Sequence, residues 1–173
     1  MSFLIWLEGT APSIWMRETP SILAFPFILY LHTLGLALVA GLSSGVALAI
    51  VGLPGSARLS PLFRLFPLMW TGFAINALSG VALLIAYPAK ALTNPVFYIK
   101  LAAVAGALIV MYRIERLFQT ADARDAGDAR SVAAQQSGLR RSAWVMLALW
   151  LIATLTGRLL AYTNSILLAS IGI

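Results

Sequence analysis

Four stretches of the chain are apolar over a length that no soluble helix requires, and polar or charged segments separate them. The first follows Thr19-Pro20 and runs through SILAFPFILYLHTLGLALVAGLSSGVALAIVG, so a span is predicted over 20–52. The second covers 65–87 and stops at Pro88; the third opens after Asn94-Pro95 and covers 95–116; the fourth covers 142–163. At about 1.5 Å per residue each can cross the roughly 30 Å hydrocarbon core. The first, at roughly 50 Å, exceeds it, so its outer end is expected to project, tilt or bend, with Pro26 as the predicted bend. Thr19 suits an N-cap and Pro20 the first helical position.

The polar positions fill the rest of the architecture. Residues 117–141 contain QTADARDAGDARSVAAQQSGLR, too hydrophilic for lipid, and read as a cytoplasmic loop or a helical extension of span three. Residues 1–19 hold FLIWL and SIWM on either side of Gly9 to Pro12, predicting two short interfacial helices anchored by Trp6 and Trp15. The tail SILLASIGI is too short to span and is expected on the surface or against the bundle. The prediction is one all-α integral membrane domain over 1–173: an up-down bundle of four transmembrane helices with an N-terminal interfacial segment on the outer face.

Composition agrees. Of 173 residues, 61% are hydrophobic and 10% charged, with mean hydropathy +0.91, which leaves too little polar surface to cover a soluble domain. The net charge of +6 is of a size that nucleic-acid binding would favour, but its placement points elsewhere. Eight of the twelve Lys and Arg fall in two connections: Arg58 and Arg64, then Arg113, Arg116, Arg124, Arg130, Arg140 and Arg141. That is the positive-inside pattern, and with four spans it places both termini outside. No basic stripe is interleaved with stacking aromatics, so no nucleic-acid partner is expected. Cysteine is absent, which removes disulfides, thiolate metal sites and cysteine nucleophiles. The first residues lack the basic start of a cleaved signal peptide.

Three cations sit inside apolar spans: the single histidine, His32, with Lys100 and Arg158. Counting from the inner ends, His32 lies about 28 Å above Val51, Lys100 about 20 Å above Arg113 and Arg158 about 24 Å above Ser142. All three occupy the outer third, and ionisable groups at membrane depth mark functional sites by default. His32 shares a helical face with Phe25, Leu29, Gly35, Leu36 and Val39, and Gly35 is expected to leave room for a flat ligand. His32 reads as a heme or metal ligand, a proton-transferring or quinone-contacting group, or a neutral histidine bonded to a neighbouring helix. Lys100 reads as an anion holder or a residue snorkelling beside Tyr98. Arg158 needs a bidentate anion or several carbonyls. With span three read as apolar only to about Arg113, no acid lies within a span, so Glu8, Glu18 or a ligand carboxylate are the expected partners.

Other polar and soft residues read as structure. Asn76 with Ser79, flanked by Gly72 and Gly80, suits hydrogen bonding across helices. Gly41, Gly45 and Ala49 form a small-residue ridge, as do Gly72 with Gly80 and Ala102 with Gly106, for packing within the chain or between subunits. Trp70, Trp144 and Trp150 read as packing and interface residues. Met16, Met69, Met111 and Met146 are too scattered for a copper relay. Asp122, Asp125 and Asp128 alternate with arginines in a solvated segment, and neither a catalytic triad nor a phosphate loop is present.

The runs HTLGLALVAG, LFPLMWTGFAINALSGVAL, NPVFYIKLAAVAGAL and LWLIATLTGRLLAYT resemble an uncharacterised family of small bacterial four-helix integral membrane proteins. More distantly they are similar to copper-resistance D membrane domains and the bacterial heme-binding protoporphyrinogen oxidase. The resemblance covers about residues 3 to 163 and rests on His-x-x-Gly at His32, Asn-Pro-x-Phe-x-x-Lys ending at Lys100, and Gly-Arg-x-x-Ala-Tyr at Arg158. It implies the bacterial inner membrane, a heme-contacting role for His32 and a matching span-three lysine in Lys100. A second histidine is missing, so two-histidine ligation within one subunit is impossible, and Arg158 has no equivalent in the oxidase.

The functional expectation is a redox-associated membrane protein, not itself catalytic, that binds heme b or a quinone around His32, with Lys100 and Arg158 holding anionic groups. The alternatives are a structural or assembly subunit of a larger membrane complex, with other subunits or further copies as partners, and a copper-handling permease.

Overall fold

The computed structural model describes residues 6–52, 64–122 and 129–171, and among them there is no strand. Arg58, Arg124, Asp125 and Asp128 lie outside the described residues. Helix α1 (Ala11–Glu18) follows a single helical turn at Trp6 to Glu8. Helix α2 (Phe25–Val51) is strongly apolar, with mean hydropathy 2.2. It is followed by α3 (Phe66–Ala86), the one-turn α4 (Pro88–Leu92), α5 (Pro95–Asp122) and α6 (Ala129–Ile171). The apolar parts of α2, α3, α5 and α6 are each long enough to cross a bilayer. Large side chains such as Ile22 and Leu78 are 82% and 74% exposed, a surface suited to lipid. With four such helices among the described residues, the chain is a multi-pass membrane protein.

Proline and glycine set the helix ends. Pro26 and Pro67 each occupy the first turn of their helix, where a missing N–H costs nothing. Pro26 therefore starts α2 at Phe25, which corrects both the predicted start at Pro20 and the predicted bend. Gly52 closes α2 with φ 85°, the left-handed conformation glycine adopts without strain. The Asn94 Oδ1 accepts from the Val96 N–H at 2.9 Å and caps α5 at the predicted place.

The irregularity in α2 lies lower, where Ala37–Gly41 form a π-helical stretch between two α-helical segments, Phe25–Leu36 and Leu42–Val51. Widening a turn disturbs the regular pairing of its carbonyls, and hydrocarbon offers no water in exchange. The buried Ser43 hydroxyl donates to Val39 O and also to Ala40 O, at 3.3 Å for the latter. Above the π stretch α2 packs on α3; below it, α2 packs on α6.

The predicted loop at 117–141 is largely helical. Polarity keeps this stretch from lipid, but its Ala, Gln, Arg and Leu are good helix formers, so α5 runs to Asp122 and α6 begins at Ala129. The C-terminal tail continues α6 to Ile171. Helix α1 docks on the C-terminal end of α3, where the buried Ser13 hydroxyl donates to Ala86 O at 3.4 Å. Phe25 meets Tyr87 edge to face at 5.7 Å nearby.

The core gathers Val39, Val46, Ala47, Phe66 and Met69 with Ala103, Ala107, Met111 and Ile114 of α5 and Ala143, Met146, Trp150 and Ala153 of α6. Glu115 falls inside the apolar stretch of α5, which reaches Leu117, and accepts from Trp70 Nε1 at 3.0 Å. This corrects the expectation of acid-free spans: ending span three at Arg113 left its acid out of view.

Candidate functional site

The α2–α3 contact is built on glycine. A Cβ on Gly35 would stand 2.5 Å from Asn76 N and 2.7 Å from Gly72 O, and one on Gly72 would stand 2.6 Å from Leu38 Cβ. Only glycine allows backbones this close, as small-residue packing in membranes requires. The space beside Gly35 is therefore filled by the α3 backbone and holds no flat ligand, a correction to the sequence reading.

One turn above this contact, half-buried His32 lies against Gly80, where a Cβ would come within 3.1 Å of the imidazole Cε1. Its Nδ1 donates to the backbone carbonyl of Asn76 at 3.0 Å and lies 3.3 Å from Ser79 Oγ. The Asn76 amide returns a bond, Nδ2 to His32 O, at 2.7 Å. Asn76 thus bonds across helices as its sequence position suggests. A backbone carbonyl only accepts, so Nδ1 carries the ring proton and Nε2 keeps its lone pair. Nε2 meets no partner among the described residues and is not among the buried unsatisfied atoms, so it opens at the protein surface.

Lys100 projects from α5 toward α6. It is half-buried, and its stem lies over α6 at Gly157, where a Cβ would be 3.7 Å from Lys100 Cε. His32 thus faces α3 at Gly80, while Lys100 faces α6 at Gly157, one on each helix pair.

Arg158 is placed differently. Successive helical residues are turned about 100° apart, so with Gly157 facing Lys100 the next side chain leaves the interior. Arg158 is exposed and forms no ion pair with Glu8 or Glu18 among the described residues. The N-terminal stretch is held by other bonds: Arg17 donates to Glu8 O at 2.6 Å.

No family model, curated protein or solved structure matches the chain. The geometry alone carries the reading.

A cleft of about 350 Å³ opens between α2 and α6, lined by the π stretch at Ala40 and Gly41, by Ser44, and by Trp150 and Thr154. It begins about 12 Å deeper along α2 than His32. The Trp150 indole N–H is buried there without an acceptor among the described residues. Sequence reading assigned Trp150 to packing, and no periodicity distinguishes it from the other core aromatics. Gly157 as the seat of Lys100 was missed too, although Gly-Arg was visible as a pair. For metals, no group of three or more His, Cys, Asp or Glu lies together among the described residues. His32 Nε2 is left as a single unpartnered lone pair among the described residues.

Proposed function

We propose a redox-associated protein of the bacterial inner membrane, not itself catalytic, that binds heme b or a quinone in the outer leaflet around His32. The proposal includes an up-down bundle with both termini outside, supported by the arginine-rich connections. The observation that carries the function is the imidazole anchored through Nδ1–H to Asn76 O, with Nε2 free. This is how proteins orient histidines meant to ligate or to accept a proton, because the backbone bond fixes the tautomer and the ring plane. A heme would take Nε2 as ligand and Lys100 as a propionate partner, with Arg158 at the rim. A quinone would lie between His32 and Lys100, with its chain toward the lipid-facing cleft at Ser44 and Trp150. Absorption spectra and quinone extraction of gently solubilised protein test this. A Soret band or co-purified quinone, lost in His32→Ala, is expected; the absence of both overturns the proposal.

A specific observation also favours the assembly-subunit reading. Gly41 and Gly45 are exposed, and a Cβ on either would meet nothing within 4 Å. Among the described residues nothing packs on these two glycines, a surface suited to a helix of another subunit or copy. Co-purification in fixed stoichiometry that survives His32→Ala but not Gly41→Leu would establish it. The copper-handling alternative rests on His32 alone, since Met69, Met111 and Met146 are committed to the core.

A further inference from the structure

We infer that the cleft between α2 and α6 is a binding site in its own right, for a neutral lipid-soluble molecule whose polar head is a carbonyl. Two hydrogen-bond donors stand at this cleft without an acceptor, one from each helix. Ser44 lines it from α2 and Trp150 from α6. The Ser44 hydroxyl bonds nothing among the described residues and is not closed off from its surroundings, so it is open to an incoming group. Neighbouring hydroxyls behave otherwise: Ser43 donates to Val39 O and Thr154 to Trp150 O, each four residues back. A reason lies in the π stretch, where the carbonyl four residues behind Ser44, Ala40 O, accepts from Ser43 instead, at 3.3 Å. Trp150 is 3% exposed, and its indole N–H is buried without an acceptor among the described residues.

Depth decides what can supply the missing acceptor. Arg140 on α6 donates to Val51 O at 3.4 Å, so the inner ends of the two helices lie level, at the arginine-rich face. Ser44 stands about 10 Å above Val51 and Trp150 about 15 Å above Arg140, both within the hydrocarbon. No water is at hand there, and an unmet donor is costly. The ester carbonyls of phospholipids lie at the interface, about 10 Å too low. Hydrocarbon alone, such as a tail reaching down from His32, leaves both donors unmet. No ionisable side chain lines the cleft, which suits a neutral ligand, and about 350 Å³ holds a six-membered ring with its substituents. Gly41 and Leu151 are exposed at its mouth, so entry is from the lipid. A carbonyl seated there accepts from Ser44 and gives the Trp150 indole an acceptor. Nothing is transformed; the role is binding.

The full-length protein in phosphatidylcholine nanodiscs, labelled with ¹⁵N at its five tryptophans, tests this, with Trp150→Phe identifying the indole signal of the cleft. Titration with a decyl-substituted 1,4-benzoquinone is expected to move that signal downfield and to saturate. Decylbenzene, which lacks the carbonyls, should leave it in place. Ser44→Ala should weaken the quinone about fivefold, the worth of roughly one hydrogen bond, while His32→Ala leaves its affinity unchanged. No saturable movement overturns the inference. Equal movement with decylbenzene does so too, making the cleft a seat for hydrocarbon and leaving the proposed function standing. Loss of quinone affinity in His32→Ala as well as Ser44→Ala would show one ligand spanning both places, and no separate site. A signal already downfield without the probe also overturns the inference: dependence on protein concentration would reveal a second copy in the cleft, and loss of the shift in detergent a lipid.

Discussion

The two principal helix pairs are closed by different means. Where α2 and α3 approach most closely, Gly35 and Gly72 bring the backbones together, and His32, Asn76 and Ser79 tie them by hydrogen bonds. Between α5 and α6 the contact is carried by fitted apolar side chains, with Ala103, Ala107, Met111 and Ile114 meeting Ala143, Met146 and Trp150 in one buried cluster. Lipid is as apolar as leucine, so neither pair gains much from hiding hydrocarbon from water. One pair replaces that force with backbone proximity and directed bonds, the other with shape. The directed bonds orient His32, while on the shape-fitted pair the stem of Lys100 lies over Gly157.

Substitutions that load one pair and spare the other can break this contrast. The largest effect belongs to Gly35→Ala, whose new methyl meets α3 backbone atoms that cannot rotate away. About 3 kcal/mol is expected to be lost in reversible unfolding in mixed micelles, with His32 displaced from Asn76. Met111→Ala, in the other pair, should cost about 2 kcal/mol through lost packing, with no change in the His32 tautomer seen by ¹⁵N NMR. A tautomer change there would show that the pairs are not independent.

Asn76→Ala removes only the amide bond to His32 O, because Nδ1 bonds the backbone carbonyl, which any residue keeps. About 1 kcal/mol is expected, as for single bonds between membrane helices. Ligand retention at His32, read from spectra or extraction, should fall only partly. The smallest effect is that of Gly41→Leu, which has open space around it and should change the unfolding energy by no more than about 0.5 kcal/mol. A change in detergent-corrected mass would reveal that another helix occupies this face.

Much of this was legible in the chain. Hydropathy alone places the four spans, because a 21-residue run such as Phe66–Ala86 has no alternative home. The Asn76–Ser79–Gly80 spacing announced a bonding face, and His32 proves to be its partner on α2. The match between them was not legible, since it depends on how α2 rotates against α3. The use of Gly35 was misread for the same reason: glycine signals closeness to something, and only the partner says whether that is a ligand or a backbone. Arg158 escaped because depth along a helix is countable, while direction around it is fixed by neighbours. The starting turn at Phe25 was obscured by Pro20, an equally good first residue.

The wide turn at Ala37–Gly41 also governs what the sequence can tolerate. An ordinary helix that met α3 along its upper half would carry the same angular phase downward, past α6. The slack in this one turn resets that phase, and Ser43 mends the carbonyls it loosens. Deleting a single residue there would rotate everything from Leu42 to Val51 by about 100° and turn Val46 and Ala47 out to the acyl chains. Loss of one letter in this span should therefore be far more damaging than exchange of several, so the length of this segment is under tighter constraint than its spelling.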